Sequence, residues 1–128
     1  MNTILRSFGF RKAAAFLFFA TLSLVPGISL GHAFPDHADP KVGSTVSVSP
    51  VRVRIWFDSN LEPLFSTIIV QDAKGKKVDK GDGQVNPVDD TLLDVSLPPL
   101  PRGTYRVIWS VVARDGHKTA GDYTFTIR

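Results

Sequence analysis

The chain has 128 residues, enough for about one domain, and carries 15 Lys/Arg, 12 Asp/Glu, three His and no Cys. Without cysteine there are no disulfides, no thiolate metal sites and no cysteine catalysis. Three of the basic residues (Arg6, Arg11, Lys12) and none of the acidic ones fall in residues 1–31, so residues 32–128 hold 12 of each sign; no basic stripe with interleaved aromatics remains there to bind the phosphates of a nucleic acid.

Residues 1–31 have the order of a secretory signal peptide: a positive start, an apolar run from Ala13 to Val25, a break at Pro26-Gly27, then the small residues Ser29 and Gly31. The apolar run is short for a bilayer span. Cleavage after Gly31 leaves one domain, 32–128, of 97 residues, soluble once released. Residues 32–44 read as irregular, with Pro35 and Pro40 limiting helix. Val51 to Phe57 alternates with period two, which predicts a half-buried strand with Val51, Val53, Ile55 and Phe57 inward and Arg52 and Arg54 in water. Phe65 to Val70 is a second β-branched run, and Lys74-Gly75-Lys76 suits a hairpin turn. Residues 80–90 are turn-rich and polar, and Leu92 to Leu97 reads as a further strand. Leu100-Pro101-Arg102-Gly103-Thr104-Tyr105 has the pattern of a tyrosine corner, in which the phenol bonds back to upstream backbone. Tyr105, Val107 and Trp109 then share one strand face, and Tyr123, Phe125 and Ile127 point inward from the last strand. No segment sustains a helical period. The pattern predicts an all-β protein, an immunoglobulin-like, antiparallel Greek-key β-sandwich or barrel of about seven strands.

Only three histidines are available for imidazole chemistry: His32, His37 and His117. Cleavage after Gly31 would make His32 the N-terminus. It would then offer two nitrogen donors, its imidazole and an α-amine whose ordinary pKa of about 7.7–8 lets a metal displace the proton near neutrality. Cleavage after Ala33 instead would discard His32. In Arg114-Asp115-Gly116-His117 the carboxylate and imidazole are two residues apart, and on an extended segment they project to one side. A D-x-H triplet alone is also common among solvated turn residues. Amine, two imidazoles and a carboxylate make a nitrogen-rich tetragonal set that suits Cu(II), although zinc could take the same donors in a tetrahedral arrangement. His37 is near enough in sequence to join that set, or to stand in water. The serines show no nucleophile elbow, and Asp79 to Asp90 lacks the spacing of a calcium loop.

These residues resemble the CopC family of periplasmic copper-resistance proteins. The resemblance runs from His32-Ala33 through Asp39-Pro40, Gly43-Ser44-Thr45-Val46, Pro50 and Val53-Arg54-Ile55-Trp56-Phe57. It resumes at Leu100 to Trp109 and ends with Asp115-Gly116-His117-Lys118 and Gly121-Asp122-Tyr123-Thr124-Phe125. It implies a periplasmic, non-enzymatic protein that captures, buffers or delivers Cu(II) in copper resistance or homeostasis. The N-terminal His, Asp and second His of the family correspond to His32, Asp115 and His117, with cleavage at Gly31/His32. A CopD-type inner-membrane copper permease is the implied partner. Some members hold Cu(I) in a Met-rich loop; here Met1 is the sole methionine, so that site is expected to be missing. Some members place a Glu near the Cu(II) site after the second strand, where this chain has Phe57-Asp58-Ser59-Asn60 and only Asp58 or Ser59 could substitute. His37 is an addition to the family pattern. The competing readings are a copper-dependent oxidative enzyme with a histidine-brace-like site and a metal-free structural sandwich.

Overall fold

A computed structural model describes residues 33–128; residues 1–31, predicted to be a signal peptide, and His32 lie outside the described residues. The strands are β1 (Pro35–Asp39), β2 (Thr45–Val46), β3 (Arg52–Phe57), β4 (Thr67–Gln71), β5 (Gln84–Val85), β6 (Leu92–Ser96), β7 (Gly103–Val112) and β8 (Lys118–Ile127). They form two four-stranded sheets, ordered β1-β3-β6-β5 and β2-β8-β7-β4. Two connections, β5–β6 and β7–β8, join strands within one sheet, and the rest cross between sheets, which gives the Greek-key sandwich.

The alternating tracts place their apolar residues between the sheets. Val53, Ile55 and Phe57 from β3 meet Tyr105, Val107, Trp109 and Val111 from β7, and Tyr123, Phe125 and Ile127 from β8. β6 is buried on both faces, from Leu92 to Val95: Leu93 and Val95 lie in the core, and Asp94 is covered by Arg52 and Asn86. Each large apolar side chain so covered contributes about 1.5–3 kcal/mol. Phe57 meets Trp109 edge to face at 5.1 Å, and Tyr105 stacks on Phe125 at 5.7 Å. The tyrosine corner is present: Tyr105 donates its hydroxyl to the Pro101 carbonyl at 2.6 Å.

Several expectations are corrected. Pro35–Asp39, read as irregular, is a strand; proline limits helix, but β1 is an edge strand and Pro35 its first residue, where the missing N–H disturbs the ladder least. Val51 is 82% exposed, because the chain bends before β3 and the alternation does not reach it. Phe65 closes a 3-10 turn, Pro63–Phe65, and is exposed; its strand starts two residues later. The eight strands among the described residues agree with the expected number of about seven, although the two-residue β2 and β5 left no periodic signal. β2 pairs with β8 in parallel, an exception to the antiparallel pattern.

Candidate metal centre

β7 and β8 pair over ten residues, from Gly103↔Ile127 to Val112↔Lys118. Their connection is tight: the Gly116 N–H donates to the Ala113 carbonyl at 2.8 Å, and the Ala113 N–H to the His117 carbonyl at 2.9 Å. Gly116 takes φ +92°, a left-handed value that closes a three-residue hairpin loop and that other residues rarely adopt. Asp115 and His117 therefore project from a turn, not from the extended segment that their spacing suggested. The turn still brings them together. Asp115 Oδ1 accepts the His117 backbone N–H at 3.0 Å and lies 3.2 Å from His117 Nδ1. Both side chains are about one-third exposed, at 32% for His117 and 37% for Asp115.

Two further segments brace this loop. The Arg114 N–H donates to the Asn60 carbonyl at 3.0 Å, and the Arg114 guanidinium pairs with Asp90. Leu61 bridges to Ala113, and the Glu62 N–H reaches the Val112 carbonyl at 2.7 Å. The hairpin tip of one sheet is thus tied to the loops leaving β3 and β5 of the other.

The chain enters the fold beside the same tip. Ala33 is fully buried, and its carbonyl accepts the Thr119 hydroxyl at 2.7 Å, two residues from His117. Phe34 donates its N–H to Asp58 Oδ1 at 2.8 Å, while the Asp58 N–H returns to the Phe34 carbonyl at 3.0 Å. Asp58, weighed as a stand-in for a Glu near the metal, is occupied by this backbone contact and by the Ser59 hydroxyl at 3.3 Å. Sequence reasoning missed Thr119 and the bracing pair Arg114–Asp90. A hydroxyl on a strand carries no signal of its partner, and a pair 24 residues apart is invisible without the topology.

His37 sits on β1 opposite Trp56. Its ring stacks on the indole at 4.4 Å and 10°, and its Nδ1 lies 2.9 Å from Asp36 Oδ2. Arg54 lies over the same indole and pairs with Asp39 at 2.8 Å. Among the described residues, no group of three or more His, Asp or Glu could hold a metal ion. Asp115 and His117 are two candidate donors set side by side at the hairpin tip.

Residues 36–128 match the CopC domain. The chain belongs to the CopC family. Among its relatives, Protein YobA of Escherichia coli is 34% identical over 109 residues, covering 84% of this chain and 88% of YobA. The crystal structure of CopC from Methylosinus trichosporium aligns with a TM-score of 0.67 at 33% identity, over 75% of this chain and 93% of that one. PcoC, a methionine-rich copper resistance protein from Escherichia coli, aligns with a TM-score of 0.65 at 30% identity, over 77% of this chain and all of PcoC. Both likenesses extend over the two-sheet sandwich, so the β7–β8 hairpin of this CopC domain belongs to a shared framework.

Proposed function

We propose that this protein captures, buffers or delivers Cu(II) in the periplasm, as a binding protein and not as an enzyme. In this reading residues 1–31 are removed on export. The exposed His32 supplies its α-amine and imidazole, and His117 and Asp115 complete a single site. The observation that carries the reading is the Asp115–His117 pair, held 3.2 Å apart in a braced hairpin next to the point where Ala33 is anchored. His32 immediately precedes Ala33 in the chain. The donors fit: three nitrogens and one carboxylate oxygen suit tetragonal Cu(II), and divalent affinities peak at copper. The kinship with proteins named for copper resistance supports the choice of metal. A CopD-type inner-membrane permease is the partner this role calls for.

Titrating the periplasmic protein with Cu(II) under electron paramagnetic resonance tests the reading. One tight equivalent with a nitrogen-rich tetragonal signal is expected. His117→Ala should remove one nitrogen and weaken binding at least about tenfold, in the range for lost metal-site groups. Unchanged affinity in His117→Ala contradicts the site, and a retained three-nitrogen signal identifies His37 as a replacement ligand.

A further inference from the structure

We propose that Asp58 and Thr119 are positioning residues for copper capture: they clamp the Ala33–Phe34 peptide between the two sheets and so fix the start of the chain against the Asp115–His117 hairpin. The inference rests on the copper-site reading above and adds the residues that make its N-terminal half a rigid ligand.

β1 cannot supply this anchorage through its own ladder. Its first residue, Pro35, has no N–H to donate, and the register with β3 shifts between Pro35 and His37. Three hydrogen bonds take over the task, and two of them come from side chains on opposite sheets. Asp58, at the end of β3, accepts the Phe34 N–H through its carboxylate, and its own N–H closes the reciprocal bond to the Phe34 carbonyl. Thr119, on β8, donates to the Ala33 carbonyl. Thr119 is also two residues from His117 on the same strand, so it ties Ala33 to the element that carries the imidazole. A terminus held by both sheets loses less freedom on binding metal than a loose one, and that difference appears as affinity. Groups that orient metal ligands without touching the metal typically change affinity about 10–100-fold.

The test uses periplasmic protein and four variants, with Cu(II) affinity measured by competition, the paramagnetic spectrum recorded, and urea unfolding followed without metal. Asp58→Ala should weaken Cu(II) binding about tenfold or more. Asp58→Asn keeps an oxygen that accepts from Phe34 and should stay within about threefold of the parent, because the contact is one of position and not of charge. Thr119→Val keeps the volume, removes the donor, and should cost about fivefold, the worth of one ordinary hydrogen bond. In Asp58→Ala and Thr119→Val the amine nitrogen should weaken in the spectrum, a change that loss of fold stability alone does not produce. If Asp58→Ala does not fold, the Thr119→Val result decides. Parental affinity and spectrum in Thr119→Val and Asp58→Ala overturn the clamp, as does Asp58→Asn losing as much as Asp58→Ala. His117→Ala is the control for the site itself: if it binds as the parent does, the copper-site reading has failed; if it is weakened while the clamp variants are not, only the clamp has failed.

Discussion

Asp115 combines two tasks in one carboxylate. Its Oδ1 caps the hairpin by accepting the His117 N–H and also faces His117 Nδ1, so truncation removes a turn brace together with a proposed metal ligand. Asp115→Asn keeps an acceptor for the brace and loses the charge. Cu(II) affinity is therefore expected to fall in both Asp115→Asn and Asp115→Ala, more in Ala, and less in either than in His117→Ala; competition titration of the three orders them. Gly121 shows a different single-residue constraint. A Cβ there would stand 2.6 Å from Trp109 Cζ2, and Trp109 is wedged in the core against Phe57. Gly121→Ala should destabilise the fold by about 1–3 kcal/mol through overpacking, read as a lower urea midpoint with an unchanged slope.

At the scale of elements, the β7–β8 hairpin does most of the positioning. One end is fixed by the Tyr105 hydroxyl on the Pro101 carbonyl, the other by the Gly116 turn and the Arg114–Asp90 pair. Tyr105 lies seven residues before Val112, about 23 Å along the strand at 3.3 Å per residue. Tyr105→Phe should thus cost about 1 kcal/mol of stability and leave Cu(II) affinity unchanged, which urea unfolding and a titration check together. β3, β6 and β7 were legible in the sequence because burial on one or both faces writes apolar residues at fixed spacing. The turn-and-Tyr pattern of the corner was legible for a similar reason, since few residue types satisfy it. β1 was not, because an edge strand starting at proline needs little apolar content, and β2 and β5 are too short to show a period. The first half of β8, Lys118 to Asp122, is polar and mostly exposed; it is a strand because β7 pairs with it, which is a long-range cause. In the candidate centre, the D-x-H pair was legible from residue type. Its geometry was not, since a glycine at positive φ and a capping carboxylate make a turn where the spacing suggested an extended run.

Across the whole molecule, stability is expected to depend on pH. Hydrogen bonds from Ser96 hold the Asp82 carboxyl below the ordinary carboxylate range, those from Thr91 do the same for Asp89, and the Arg106 guanidinium does so for Asp122. Depressed folded-state values mean that these contributions are complete above the unfolded carboxylate pKa of about 4 and fade as pH falls below it. At the alkaline end, burial raises Tyr123 and Tyr105. Unfolded tyrosines ionise first, so stability should hold up to about pH 10 and decline above it. Urea midpoints measured from pH 2 to 11 should accordingly fall at both ends. Metal preference is also a property of the whole chain. Soft thiolate and thioether ligands select Cu(I), and residues 32–128 contain neither Cys nor Met, unlike the methionine-rich PcoC. Anaerobic reduction should therefore loosen the metal toward a Cu(I)-selective chelator; retention of Cu(I) as firm as that of Cu(II) would contradict the single oxidised site.

Whether export creates the copper ligand can be read from the intact mass of the periplasmic protein with and without Cu(II). A chain beginning at His32 that gains the mass of one copper ion under native conditions is the expected result. A chain beginning at any other residue, or one that gains no copper, contradicts it.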